Sequence, residues 1–245
     1  MGSHERVMER RQFLKGTLGA ASLIALAGCD NLSQSSWFPS VLSKAEKLTE
    51  RVQRAVTPIN ALAKEYGEAD ISKVFPANGN TDPGTEEYAE HVAKNFSEWT
   101  VDVVGLVQTP MSWSLAALKE LPSRTQITRH DCVEGWSAIG KWGGVRFSTF
   151  LERIGADTTA KYVGFKCADD YYTSIDMPTA LHPQTLLTLK FADQVLPPKY
   201  GFPMKLRMPT KLGYKNPKHI MAMFVTNDHP GGYWEDQGYN WFGGS

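Results

Sequence analysis

The sequence predicts an α+β fold, with one domain in which mixed or antiparallel β-sheets are joined by short helices. Fourteen prolines and twenty-one glycines among 245 residues are typical of a chain with many turns. Short apolar runs of strand length alternate with short helical patterns, and no internal repeat interrupts them. Seven Trp, nine Tyr and eleven Phe are typical of a packed core. Together these features favour a single layered domain.

The first 29 residues have the features of an export signal. Arg10 and Arg11 are followed by Gln-Phe-Leu-Lys, which resembles the twin-arginine motif. Residues 16–27 are apolar or small, and this stretch is too short to span a membrane. A surface helix is the alternative for it. Met1–His4 resembles a tag scar, with Met8 as the natural start. We therefore expect export by the twin-arginine route to the periplasm or cell envelope.

Cys29 ends the segment Leu-Ala-Gly-Cys, which resembles the cleavage box of a lipoprotein. Cleavage before Cys29 would leave a thiol for lipid attachment, and the domain would then be anchored to a membrane face. Ordinary cleavage after a small residue, or no cleavage, is the alternative. Twin-arginine export carries folded proteins, which indicates that the chain folds in the cytoplasm around an inserted cofactor.

Residues 30–70 are predicted to form a tether and an amphipathic helix. Residues 31–39 are mostly polar, and from Val41 apolar residues recur at steps of three and four as far as Leu62. Pro58 should kink or split this helix, because proline lacks an amide donor and its ring clashes with the preceding turn.

Residues 71–245 are predicted to form the catalytic domain. The expected helices are Thr85–Phe96, Ser114–Glu120 and Arg146–Ile154, and the expected strands are Trp99–Val107, Thr125–Cys132, Ala160–Cys167, Leu186–Phe191, Met204–Met208 and His219–Thr226. The formal net charge of zero argues against a nucleic-acid partner held by bulk electrostatics. The three cysteines form no CxxC pair, which argues against a zinc ribbon or a thioredoxin-like site.

Cys132 lies in the most informative stretch, Thr128–Gly144. It ends a predicted strand and enters a predicted loop that contains two tryptophans and four glycines, Gly135, Gly140, Gly143 and Gly144. A cysteine at a strand end beside such backbone can serve as a soft metal ligand. Positive charge on Arg129 and His130 would favour its thiolate form. A buried structural cysteine, or a disulfide with Cys167, is the competing interpretation.

Several motifs, in the same order, resemble the molybdopterin-binding domain of the sulfite-oxidase family. They are Cys132–Ser137 with Lys141-Trp142, Lys161–Val163, His182–Leu186, Leu196–Pro203, Leu212–Lys215 and Lys218, and the similarity covers about Trp99 to Thr226. It is greatest to the bacterial branch that contains periplasmic methionine-sulfoxide reductases. The resemblance implies a sulfite-oxidase-like fold and a molybdenum–molybdopterin cofactor. It also implies that Cys132 is the only protein ligand of the molybdenum, beside two sulfurs of the pterin dithiolene.

The resemblance further implies which residues contact the cofactor. Six basic side chains fall within a short segment that would hold its phosphate and pterin, namely Lys205, Arg207, Lys211, Lys215, Lys218 and His219. Of these, Lys205, Lys215 and Lys218 are predicted contacts, and Asn78, Arg129 and Cys167 are predicted to lie against the cofactor. A solvated basic face is the alternative interpretation of the charges.

These features predict an oxidoreductase that moves one oxygen atom to or from a small substrate, such as a sulfur compound. Electrons would be exchanged with a separate haem or quinone-linked partner, such as a membrane haem protein or a cytochrome. The reason is that the chain has no CxxCH haem motif and no GxGxxG fingerprint. Two alternatives remain open: a sulfite dehydrogenase-like enzyme, and a non-catalytic exported lipoprotein that acts as a binding module.

Overall fold

The structure, a computed structural model, describes residues 35, 37, 44, 48–55 and 58–245. The described residues up to Val52 belong to one unit, and those from Gln53 onward belong to another. The twin-arginine motif, the lipoprotein box with Cys29 and most of the predicted tether lie outside the described residues. Within the described parts of the chain, none of the helices has both the length and the apolar character that a membrane crossing requires.

The predicted amphipathic helix is shorter than expected. Residues 48–52 of the first unit are helical, and so are residues 53–55 of the second, whereas residues 58–64 are not. Ile59 and Leu62 therefore lie outside the helix, and both side chains are exposed. Proline ends the helical pattern because it removes a hydrogen-bond donor and crowds the preceding turn.

From residue 86 onward, the described chain contains five α-helices and ten β-strands. The helices are α1 (Glu86–Ala93), α2 (Leu115–Lys119), α3 (Phe147–Arg153), α4 (Met177–Ala180) and α5 (Tyr233–Asp236). The strands are β1 (Thr100–Gly105), β2 (Met111–Ser114), β3 (Ser123–Asp131), β4 (Ser137–Arg146), β5 (Tyr162–Cys167), β6 (Tyr172–Asp176), β7 (Leu186–Phe191), β8 (Gln194–Val195), β9 (Lys205–Arg207) and β10 (Ile220–Thr226). Short 3-10 turns cover Glu68–Asp70, Pro198–Tyr200 and Gly213–Lys215.

The strands form two five-stranded sheets. The first has the order β2-β1-β10-β5-β6, in which β1 and β10 are parallel and the other neighbours are antiparallel. The second has the order β3-β4-β7-β8, with β9 also paired to β7, and all of its pairs are antiparallel. This arrangement confirms the predicted α+β class with mixed sheets.

One large apolar cluster draws on both sheets and on the helices. Val101 and Val103 on β1 are buried in it while Asp102 between them is exposed, which is the period-two pattern of a strand with one covered face. Phe150 of α3 and Phe165 of β5 are also fully buried there. The cluster fixes the strands whose ends carry the chemically interesting side chains described below.

All of the predicted strands and helices after residue 84 are present, with ends that differ by up to three residues. Four strands were not predicted, namely β2, β6, β8 and β4, the last of which is discussed below. β2 and β6 are short and rich in Ser and Thr, and β8 has two residues, so none of them carries a strong apolar alternation.

The predicted glycine-rich loop after Cys132 is wrong beyond residue 136, because residues 137–146 form β4. Trp142, Gly140, Gly143 and Gly144 therefore belong to a strand. A Cβ on Gly140 would lie 2.9 Å from the rings of both Phe75 and Phe191, and one on Gly144 would collide with the carbonyl group of Leu187. These glycines allow close packing of neighbouring chain segments. Gly135 alone of the four lies in the turn, with φ of 91°.

Candidate active site

Lys205, Arg207 and Lys218 place three basic side chains inside the domain, and each residue has at most 8% of its surface exposed. Lys205 and Arg207 lie on β9, which pairs with β7 and is buried along its whole length. Lys218 lies just before β10. Among the described residues, none of the three has a carboxylate within ion-pair distance. Buried cations are normally paired, so this cluster lacks its counter-charge.

Neutral groups surround the two lysines. Lys218 Nζ donates to three backbone carbonyl oxygens, including that of Asn78 at 2.7 Å. Lys205 Nζ donates to the carbonyl oxygen of Asn216 at 3.3 Å. Burial lowers the pKa of Lys205 well below its ordinary value and lowers the pKa of Lys218 to about 8. A bound anion would favour the charged form of both side chains.

Arg207 makes contacts with more than one part of the chain. Its Nη1 donates to Asn216 Oδ1 at 3.3 Å, and its Nη2 donates to the carbonyl oxygen of Arg129 at 2.5 Å and to Thr128 Oγ1 at 3.3 Å. The guanidinium carbon lies 5.6 Å from the centre of the Trp142 ring. Burial lowers the pKa of Arg207 to about 9.

Cys132 and Cys167 are both buried, and both are free thiols. Cys132 directly follows β3, and Cys167 is the last residue of β5. The alternative of a disulfide between them is therefore wrong. Negative charge on either thiol would raise the pKa of the buried Lys205 side chain.

The expected source of positive charge beside Cys132 is also wrong. Arg129 lies on the outer face of β3 with 56% of its side chain exposed, and its Nε bonds Asp131 Oδ1 at 3.0 Å. His130 is buried, and burial lowers its pKa to about 2, so the ring is neutral. Burial also raises the pKa of the Cys132 thiol. The backbone amides of Glu134 and Val133 act in the opposite direction and lower it.

Several buried polar atoms beside the cations lack a hydrogen-bond partner in the described chain. They include both ring nitrogens of His130, Nε1 of Trp142 and Nε of Arg207. Trp142 lies 5.9 Å from Lys205 Nζ, and the cationic residues of the cluster help to keep His130 neutral. Native interiors leave few buried polar atoms unsatisfied, so this concentration indicates space for a polar ligand.

A cavity of about 240 Å³ opens beside Lys218. Its wall includes Asn78, Gly79, Asn80, Asp169, Asp170, Tyr171, Gly213, Tyr214, Asn216, Pro217, Tyr233 and Trp234. Gly213 keeps part of this space open, because a Cβ there would lie 2.9 Å from His130 Nε2 and 3.2 Å from Asn78 Nδ2.

These donors fit an anionic heterocyclic cofactor that carries a thiophilic metal. The buried cations suit a phosphate, and the unsatisfied nitrogens suit the polar edge of a ring system. A buried cysteine suits a metal that already has sulfur ligands. A profile of the family described as "Oxidoreductase molybdopterin binding domain" matches residues 89–234, which is more than half of the chain.

The chain belongs to this family of molybdopterin-binding oxidoreductases. Its cofactor is therefore molybdenum bound to molybdopterin. The chain is an enzyme, and the alternative of a non-catalytic binding module is not retained.

The oxidoreductase has relatives named for methionine sulfoxide. It is 54% identical, over all of its length and 91% of the relative's, to an Azospira oryzae protein with the provisional name protein-methionine-sulfoxide reductase subunit YedZ1. It is 29% identical, over 93% of its length and 76% of the relative's, to the protein-methionine-sulfoxide reductase catalytic subunit MsrP of Campylobacter jejuni. The Xanthomonas axonopodis MsrP is 36% identical over 58% of this chain, which spans about half of that relative.

The fold of the oxidoreductase is also found in a solved structure. The sulfane dehydrogenase SoxCD from Paracoccus pantotrophus superposes with a TM-score of 0.51 at 17% sequence identity. The match covers 70% of this chain and 46% of that chain. At this identity the likeness concerns the fold, and it confirms the sulfite-oxidase-like architecture predicted from the motifs.

The structure brings together five of the seven predicted site residues of the oxidoreductase. Lys205 interacts with both Cys132 and Cys167, and Lys218 contacts Asn78. Two residues lie elsewhere. Arg129 points away from the cluster, and Lys215 is bound to Glu235 in a buried ion pair.

Three further residues of the site were not among the predicted contacts: Arg207, His130 and Gly213. From the sequence, Arg207 was expected only as one of six basic residues in a segment, and His130 was expected only to supply positive charge near Cys132. The alternation of buried and exposed residues along β3 could have indicated that His130 points into the domain. Gln126, Thr128 and His130 are buried in turn, and Arg129 between them is exposed. Nothing in the sequence distinguishes Gly213 from the other glycines.

Proposed function

We propose that this oxidoreductase is an exported sulfoxide reductase in which the Cys132 thiolate is the protein ligand of molybdenum. The observation that carries the proposal is the cluster of buried, unpaired cations around two free thiols. The net reaction would be sulfoxide plus two electrons and two protons, giving thioether and water. The substrate class comes from the relatives, whose names refer to methionine sulfoxide in proteins.

Lys205, Lys218 and Asn78 would hold the cofactor, and Cys167 would lie beside it. When bound, the cofactor supplies a metal that exchanges an oxygen atom and two electrons with the substrate. The charge on Lys205 would stabilise the Cys132 thiolate against the effect of burial. Lys218 Nζ already has three carbonyl acceptors, so an anion would replace one of them and supply the negative charge that the carbonyl groups lack.

The lining of the 240 Å³ cavity supports a neutral substrate. Its wall includes Asp169 and Asp170, which bear carboxylates, and the aromatic residues Tyr171, Tyr233 and Trp234. Carboxylates disfavour an anion such as sulfite, and aromatic rings interact favourably with the sulfur of a thioether side chain. We therefore favour sulfoxide reduction over the alternative of a sulfite dehydrogenase.

The test is turnover of the cofactor-loaded enzyme with dye electron carriers. With a reduced viologen as donor, we expect reduction of methionine sulfoxide in a peptide, and with an oxidised dye we expect little oxidation of sulfite. The Cys132→Ser variant should lose the activity. Faster sulfite oxidation than sulfoxide reduction by the parent enzyme would contradict the proposal.

We also propose that the enzyme works outside the cytoplasm with a separate electron donor, either a membrane haem protein or a quinone-linked partner. The twin-arginine motif supports export, and the names of the relatives call them subunits.

Replacing Arg10 and Arg11 by lysine should retain the protein in the cytoplasm. The mass of the mature chain should show lipid on Cys29, and a Cys29→Ala variant should lack it. Unchanged export in the lysine variant would contradict this route.

A further inference from the structure

Arg207 joins three separate segments of the chain. It lies on β9, it donates to Thr128 and Arg129 on β3, and it donates to Asn216 in the loop before Lys218. It has no exposed surface, and its described hydrogen-bond acceptors are neutral carbonyl, amide and hydroxyl oxygens. A buried arginine that forms no ion pair in the described chain is costly, which indicates a specific role.

The β3 end of this connection lies close to Cys132 in the chain. Thr128 and Arg129 are followed by only two more residues before Cys132. The backbone there has little freedom, because Cys132 N donates to the Trp136 carbonyl at 2.9 Å and Gly135 N donates to the Cys132 carbonyl at 3.0 Å. A shift of β3 at Thr128 would therefore be passed on to the thiol.

The loop end of the connection is equally well fixed. Asn216 Oδ1 accepts from Met208 N at 2.6 Å as well as from Arg207, and Asn216 Nδ2 donates to the Leu212 carbonyl at 2.9 Å. Asn216 lies two residues before Lys218, whose ammonium group is held by the Asn78 carbonyl. Arg207 thus connects the loop that carries Lys218 to β3, the strand that directly precedes Cys132.

We propose that Arg207 is a positioning residue that sets the place of Cys132 relative to the Lys218 loop, and so sets the geometry of the thiolate on the metal. The inference rests on the proposed role of Cys132 as the metal ligand. A lysine at this position would keep the charge but not the planar fork that reaches both segments at once. Arg207 therefore acts through Cys132 and not by touching the substrate.

The test uses the cofactor-loaded enzyme and the electron paramagnetic resonance spectrum of its pentavalent molybdenum, with metal content measured in parallel. Arg207→Lys should retain molybdenum and shift the spectrum, because the thiolate is no longer held at one angle. Thr128→Val removes a single acceptor of Arg207 and should give a smaller shift. Arg124→Lys is the matched control, since Arg124 lies at the other end of β3, where its Nη1 donates to the Pro183 carbonyl at 3.0 Å. It should leave the spectrum unchanged.

A spectrum of Arg207→Lys identical to that of the parent, with molybdenum retained, would overturn the inference. If Arg207→Lys does not hold the metal, Thr128→Val decides: a shift supports positioning, and an unchanged spectrum refutes it. Failure of the proposed function itself would give a different result in these measurements. In that case the parent either lacks molybdenum or gives a spectrum that Cys132→Ser does not alter.

Discussion

Lys215 and Glu235 form an ion pair that is nearly closed to water, with 1% and 6% of their side chains exposed. Lys215 ends the 3-10 turn Gly213–Lys215, and Glu235 lies on α5. The pair fastens α5, which carries Tyr233 and Trp234, beside the cavity that these two aromatic residues line. Lys215 therefore holds the wall of the site, which explains why it does not join the unpaired cations.

Removing the Glu235 carboxylate is expected to be costly. Glu235→Gln would leave the Lys215 ammonium group buried without a counter-charge, which typically costs roughly 3 to 5 kcal/mol in the free energy of unfolding. Urea unfolding of the full chain measures this loss. Glu98→Gln is the control, because its partner Lys94 and Glu98 itself are 50% and 67% exposed and should contribute little. Equal losses in both variants would contradict the assignment of Lys215 to a structural pair.

Lys218 is expected to make the stability of the cofactor-free protein depend on pH. Burial lowers its pKa in the folded chain to about 8, from an ordinary value of 10.5. Between these values the unfolded chain holds a proton that the folded chain has released, so the free energy of unfolding rises with pH. Below about pH 8 the lysine is charged in both states, and this contribution no longer changes.

The measurement compares the parent with Lys218→Met by urea unfolding from about pH 7.5 to about pH 10. The free energy of unfolding of the parent, relative to the variant, should rise by up to about 3 kcal/mol across this range. A difference that stays constant with pH would mean that Lys218 titrates as an ordinary solvated lysine.

Gly213→Ala is expected to weaken retention of the cofactor without unfolding the domain. The added methyl group would lie 2.9 Å from His130 Nε2 and 3.2 Å from Asn78 Nδ2, within the space assigned to the cofactor. Molybdenum and pterin content after gel filtration measures retention. Gly67→Ala is the control, since its Cβ would meet only Asp70 Oδ2, at 3.6 Å. Full cofactor content in Gly213→Ala would show that the cofactor does not approach this glycine.

The sequence alone predicted the strands that carry apolar alternation, and motif order located Cys132, Lys205 and Lys218. It could not separate Lys215 from these two lysines, because the partner of Lys215 lies twenty residues later in the chain and pairs with it only in the folded protein. It also assigned Gly140 and Gly144 to a loop. Glycines that admit a neighbouring ring or strand cannot be distinguished by residue type from glycines that form turns.

Arg129 shows where a usable signal was present but not applied. On β3 the residues at even positions from Gln126 to His130 are buried, so Arg129 must point to the other face. The burial of Arg207 had no such signal, because both faces of β9 are covered and its residues are buried without alternation.

The most direct test of the central claim is the number of sulfur ligands on molybdenum, counted by X-ray absorption at the molybdenum edge. The parent enzyme should have one sulfur ligand beyond the two of the pterin dithiolene. Cys132→Ser should lose that additional ligand together with sulfoxide reduction, and Cys167→Ser, at the other buried thiol, should keep it. The same sulfur count in Cys132→Ser as in the parent would contradict the account.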